Sequence, residues 1–144
     1  MPNQTEFEIL DFLPYLLNMA AEEVSLEFQA CYKSKYGMLR TEWRVLFHLG
    51  RYGEMTATEL GKRAKLHKTK VSRAVTALET RRFLKRHEME TDRRNAMLQL
   101  LPQGKLVYVE LQDLAQKYNQ RLADQFTKKE QKILRECLQT LAKI

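Results

Sequence analysis

Residues 67–81, "HKTKVSRAVTALETR", hold hydroxyls and cations at spacings that a helix would gather onto one surface. At about 100° per residue, Thr69, Ser72, Arg73, Thr76 and Thr80 fall on one side, flanked by Lys68 and Lys70. Val71, Ala74, Val75 and Leu78 fall on the other, which is the predicted core side. The chemistry open to the first set is hydrogen bonding and charge neutralisation. Hydroxyls bond phosphate oxygens or base edges, and an arginine can pair with guanine O6 and N7 through two parallel bonds. A merely solvated face would favour long Glu, Lys and Gln, which form helices better than Ser or Thr. Small side chains let a helix backbone lie close to another surface. The bland alternative is a plain helical hairpin with a charged exterior.

The distribution of charge points the same way. Residues 62–94 contain twelve lysines and arginines against four acids, which puts +8 there and leaves −1 on the remainder of a chain whose formal charge is +7. A uniform basic bias would mostly serve solubility, whereas a confined one predicts a surface that faces a polyanion. Beyond the helix, "ETDRRN" at residues 90–95 sets two arginines beside an aspartate in a polar turn. On a β-ribbon, Arg93 and Arg94 would reach a narrow minor groove, with Asp92 orienting Arg94 through a charge-assisted hydrogen bond. For a lone hairpin, the alternative is an exposed charged turn.

Those residues need elements to hold them. A first helix is predicted over about residues 11–34, with Pro14 in its first turn and Leu17, Ala20, Val24, Phe28 and Cys31 at helical spacing. Thr41 is the expected cap of a second helix, "TEWRVLFHLGRYG", with Gly53 as its stop. Thr56 and Glu59 form a capping-box pattern before the short helix "ATELGKRA", and the helix over 67–81 follows after the turn "AKLH". Leu60, Ala64 and Leu66 would pack on Val71 and Val75, completing a helix-turn-helix. "FLKRHEM" and "AMLQLL" read as the strands of a hairpin. Pro102 opens a long helix, and Thr127 with Glu130 caps the last. The expected class is therefore mainly α with a small β-wing: four helices, a hairpin and two more helices, forming a winged helix-turn-helix. The 144 residues make a single winged-helix chain, in which 41–101 form a DNA-binding lobe.

The segments "EWRVLFHLGRYGEMTATELGKRAKLHKTKVSRAVTALETRRFLKR" and "DRRNAMLQLLPQG" resemble the MarR family of bacterial transcriptional regulators, and the resemblance runs from about residue 11 to the end. It implies a homodimeric winged-helix repressor or activator in which the first and last two helices of two chains interlock, making 11–34 with 102–144 a helical dimerisation region. Recognition helices would lie about one DNA turn, ~34 Å, apart, so the operator is expected to be near-palindromic. On this reading Thr69, Ser72 and Arg73 read bases, with the Thr76 hydroxyl and His67 on the same contact surface. Lys62, Lys65, Lys68 and Lys70 hold phosphates, and Asp92, Arg93 and Arg94 form the wing contact. "DFLPYLLNMAAEEVS" with "EWRVL" resembles a subgroup that responds to aromatic acids or their CoA thioesters. Tyr15, Met19, Trp43, Arg44 and Phe47 would line such an effector space, though the same aromatics serve equally as interhelical core. Arg44, one turn into an apolar helix, needs water, a carboxylate or an anionic effector. Two positions depart from the family pattern. Arg82 stands where glycine is usual, and Leu101 stands where a capping threonine is usual.

Other classes find less in this sequence. His48, His67 and His87 are not at metal-ligand spacing, there is no glycine-rich phosphate loop, and no Ser or Cys sits in a nucleophile motif. No enzyme, metal or cofactor is expected. Cys31 and Cys137 make no disulfide framework, and short apolar runs with no leader pattern point to a cytoplasmic setting without a membrane partner. A redox-sensing regulator of the same fold, acting through Cys31, is one alternative. A helical protein-interaction module that does not bind DNA is another.

Overall fold

The computed structural model describes residues 6–89 and 92–144, with backbone only for Met89 and residues 92–95. The chain divides into two compact units, Met1–Leu39 and Arg40–Ile144. The first contains a single 3-10 turn at Ile9–Asp11, capped where the Leu10 N–H donates to Glu8 Oε1 at 2.9 Å, and helix α1, Leu13–Tyr36. Pro14 sits in the first turn of α1, where its missing N–H costs nothing. Gly37 ends α1 at φ 63°, and its N–H returns to the Lys33 carbonyl at 2.8 Å. Of the expected apolar stripe, Phe28 is buried, Leu17 and Cys31 are half-buried, and Ala20 and Val24 are exposed.

The second unit runs α2 (Arg40–Tyr52), β1 (Met55–Thr56), α3 (Ala57–Ala64), α4 (Lys68–Thr80), β2 (Leu84–Met89), β3 (Asp92–Leu100), α5 (Pro102–Ala123) and α6 (Lys128–Ala142). The chain is mainly helical with a small antiparallel sheet, as expected, but the sheet has three strands in the order β1-β3-β2. Its third strand is two residues long, with Met55 opposite Leu98 and Thr56 opposite Met97. Two residues carry no readable alternation, so the sequence pattern missed it. β3 also begins at Asp92, opposite Met89, so residues 92–95 belong to a strand and not to the polar turn assigned from sequence.

The core of this unit is where the helical periodicities put it. Val45, Leu46 and Leu49 from α2, Leu60 and Ala64 from α3, and Val71, Ala74, Val75 and Leu78 from α4 are all buried, together with Leu84, Leu98 and Leu100 from the sheet. At Gly61 the close neighbour is the turn between α3 and α4, since a Cβ there would lie 3.2 Å from the Leu66 carbonyl oxygen. Helix ends follow local chemistry. Thr56 Oγ1 accepts from the Glu59 N–H at 3.1 Å, and Gly53 stops α2 at φ 83°. At α6 the capping box is complete. Thr127 Oγ1 accepts from the Glu130 N–H at 3.2 Å, and Glu130 Oε1 accepts from the Thr127 N–H at 3.0 Å. Those bonds, the backbone one first, hold the Glu130 carboxyl below the ordinary glutamate range. Thr41 is not a cap, because α2 starts one residue earlier and Thr41 lies within its first turn.

Candidate nucleic-acid interface

The outward face of α4 is the face read from the sequence. Thr69, Ser72, Arg73, Thr76 and Thr80 are exposed, as are Lys68 and Lys70, while the four apolar residues behind them are at most 2 % exposed. His67 forms the entry to the helix. Its Nδ1 accepts from the Thr69 N–H at 3.2 Å. A cleft between α3, α4 and the base of the hairpin is rimmed by Lys62, Lys68, Ser72 and Arg86 and floored by Val71, Val75 and Leu98. Cations at the rim and an apolar floor make a surface suited to a phosphate backbone passing over it.

Two expected contact residues are engaged within the protein. The Lys65 ammonium donates to the carbonyl of Ala142, at the end of α6, where a cation meets the negative end of a helix dipole. Lys65 itself ends α3 in the left-handed region at φ 52°. Thr76 Oγ1 accepts from Arg86 Nη2 at 3.2 Å, so its hydroxyl already has a donor from β2. The side chains of Asp92, Arg93 and Arg94 lie outside the described residues. Arg86 is the residue that sequence reading counted only as a charge. Strand parity offered the signal, because Arg86 is two residues from Leu84, which is buried, and so shares its helix-facing side.

The residues proposed for an effector fall in separate units. Tyr15 is half-buried and Met19 exposed on α1. On α2, Trp43 and Phe47 stack at 4.6 Å between ring centroids, and Phe47 meets Tyr108 of α5 edge-on at 5.2 Å. Gly50 makes room for this cluster, since a Cβ there would fall 2.4 Å from the Tyr108 ring. Arg44 finds a partner that sequence reading did not consider. Its guanidinium donates to the carbonyl of Ala64, the last residue of α3. Burial, and secondarily the charge of Arg40, pushes the Arg44 guanidinium below its ordinary range. Both cysteines are free, Cys31 half-buried and Cys137 exposed. Among the described residues there is no group of three or more metal-ligating side chains, and no helix is long and apolar enough to cross a membrane.

Two helices at a short turn, followed directly by a sheet whose hairpin flanks the second helix, define a winged helix-turn-helix protein. Residues 36–95, which hold both helices and most of the hairpin, match the family model described as MarR family. Solved structures agree over nearly the whole length. A MarR/EmrR family transcriptional regulator from Acinetobacter sp. ADP1 superposes with a TM-score of 0.85 at 25% identity, covering 95% of this chain and 96% of its own. A MarR family transcriptional regulator from Silicibacter pomeroyi DSS-3 gives 0.78 at 26% identity, covering 94% and 99%. BpsR of Bordetella bronchiseptica, whose DNA binding is regulated by 6-hydroxynicotinic acid, shares the fold with a TM-score of 0.87 at 18% identity, covering 96% and 98%. No curated protein matches in sequence. The Acinetobacter and Silicibacter neighbours are transcriptional regulators.

Proposed function

We propose that this chain is a sequence-specific double-stranded DNA-binding transcriptional regulator that acts as a homodimer and is released from DNA by a small aromatic or anionic effector. The observation that carries the reading is the division of α4: hydroxyls and Arg73 outward, Val71, Ala74, Val75 and Leu78 inward. Thr69, Ser72 and Arg73 read base edges in the major groove, and Lys62, Lys68 and Lys70 neutralise phosphates on its walls. Arg93 and Arg94, with Asp92 beside them, serve the adjacent minor groove. Residues 41–101 are the DNA-binding lobe, and 11–34 with 102–144 supply the dimer contact. The exposed leucines of α1 and α6, with Ile133, support this, since faces of that kind are covered in an obligate assembly. The Trp43–Phe47–Tyr108 cluster offers ring-stacking surface to an aromatic acid, and the ligand of the Bordetella protein is of that chemistry.

The test uses a duplex selected by the chain from a random-sequence pool, compared with a scrambled duplex of the same composition. Arg73→Ala is expected to cost about 1–3 kcal/mol on the selected duplex and little on the scrambled one. Lys70→Ala is expected to weaken both alike and to flatten the dependence of log affinity on log salt by about one unit. Equal losses on both duplexes for Arg73→Ala would remove it from base reading.

A further inference from the structure

Arg86 bridges the wing and the recognition helix. From β2 its Nη2 donates to Thr76 Oγ1 at 3.2 Å, and its Nε lies 3.5 Å from Glu79 Oε2. Thr76 and Glu79 are three residues apart on α4, so one guanidinium grips a single face of the helix at two successive points. Both members of the ion pair are about two-fifths exposed, with 41% and 43% of the side-chain surface accessible. Such a pair adds little to stability. What two contacts fix is direction: a planar fork held at two points leaves α4 little freedom to rotate or slide relative to β2. Nothing else in the sequence explains why an acid sits at residue 79, within the most basic third of the chain and facing the same side as DNA-contact hydroxyls.

We infer that Arg86 is a positioning residue for DNA recognition, clamping Thr76 and Glu79 so that α4 and the wing meet adjacent grooves in one register. The inference rests on the DNA-binding reading above and deepens it. The clamp explains how an acid can be useful at residue 79. It also moves Thr76 from DNA contact to support, since its hydroxyl serves the clamp.

Charge reversal separates this role from a phosphate contact. Glu79→Arg adds a cation to a DNA-facing surface, so electrostatics alone would tighten binding. A broken clamp instead lowers the ratio of affinities for the selected and scrambled duplexes, by an expected ten-fold or more. Arg86→Glu lowers the same ratio, and the double variant Glu79→Arg/Arg86→Glu restores it to within about three-fold of the wild type. Thr76→Val, which removes only a hydroxyl, lowers the ratio several-fold alone but adds nothing in an Arg86→Glu background, because the contact it deletes is already gone. Melting temperatures of all variants are measured alongside, and Thr76→Val keeps the test readable if a charge reversal unfolds the chain. If Glu79→Arg tightens specific binding, or if Thr76→Val and Arg86→Glu act additively, the clamp is wrong. If the wild-type chain enriches no duplex at all, the DNA-binding reading falls and the clamp falls with it. Enrichment by the wild type without coupling would overturn the clamp alone.

Discussion

Arg82 sits at φ 61°, in the left-handed region that side chains with a Cβ seldom occupy. The bonds around it show why the strain persists. The Arg82 N–H reaches the Glu79 carbonyl at 2.9 Å and the Phe83 N–H reaches the Leu78 carbonyl at 2.9 Å, so the last carbonyls of α4 are satisfied by a Schellman turn. Phe83, buried just beyond, anchors the turn and fixes where β2 starts. Arg82→Gly is expected to stabilise the chain by about 0.5–1 kcal/mol, the relieved Cβ clash outweighing glycine's greater entropy in the unfolded state. The rise in denaturation midpoint at unchanged slope measures it, and a fall would mean that the Arg82 side chain makes a contact worth more than the strain. Arg44 belongs to the same scale. The residue looked from sequence like an anion's partner, yet it caps a helix carbonyl. An i,i+4 reading along one helix cannot find that bond, because Arg44 and Ala64 are twenty residues apart.

Between elements, the tightest fit is the junction of the wing with α5. The Leu101 N–H donates to the Phe83 carbonyl at 2.9 Å, and a Cβ at Gly104 would fall 2.0 Å from that same oxygen. Backbone cannot step aside as a flexible side chain can. Gly104→Ala is therefore expected to destabilise by about 3 kcal/mol or more, read as a lower denaturation midpoint. A loss under 1 kcal/mol would show that α5 re-docks freely. The reason for the glycine at 104 was not legible in the sequence, because the Phe83 carbonyl it makes room for belongs to a distant segment. The same holds for other elements. The face of α4, the bounds of α3 at Ala57–Ala64 and the start of α5 at Pro102 follow from period, caps and proline, all of which are local. Strand β1, the Lys65 bond to Ala142 and the Arg86 clamp depend on residues brought together by tertiary folding, so no local window contains them.

At the scale of the molecule, α6 is the element that a single chain leaves unfinished. Ile133, Leu134, Leu138 and Leu141 recur at helical spacing and each is at least two-fifths exposed. A row of this kind on a helix otherwise rich in Lys, Glu and Gln is the signature of an apolar face awaiting a partner. If that partner is a second copy, a carboxylate placed in the row must be desolvated at the contact, at a cost that an exposed position would not impose. Leu138→Glu is thus expected to shift the chain from dimer to monomer in sedimentation while leaving the helical content of each chain largely intact. The consequence for DNA follows from linkage. A dimer binds its second half-site intramolecularly, so a monomer should lose about 10²–10⁴ in affinity for a two-half-site duplex and almost none for a single half-site. Its salt dependence on the longer duplex should also flatten toward half, because half the phosphates are neutralised per binding event. Leu134→Glu, one turn away, should reproduce the effect. If both variants remain dimers with unchanged salt slopes, α6 does not supply the contact, and the apolar row must serve a different partner.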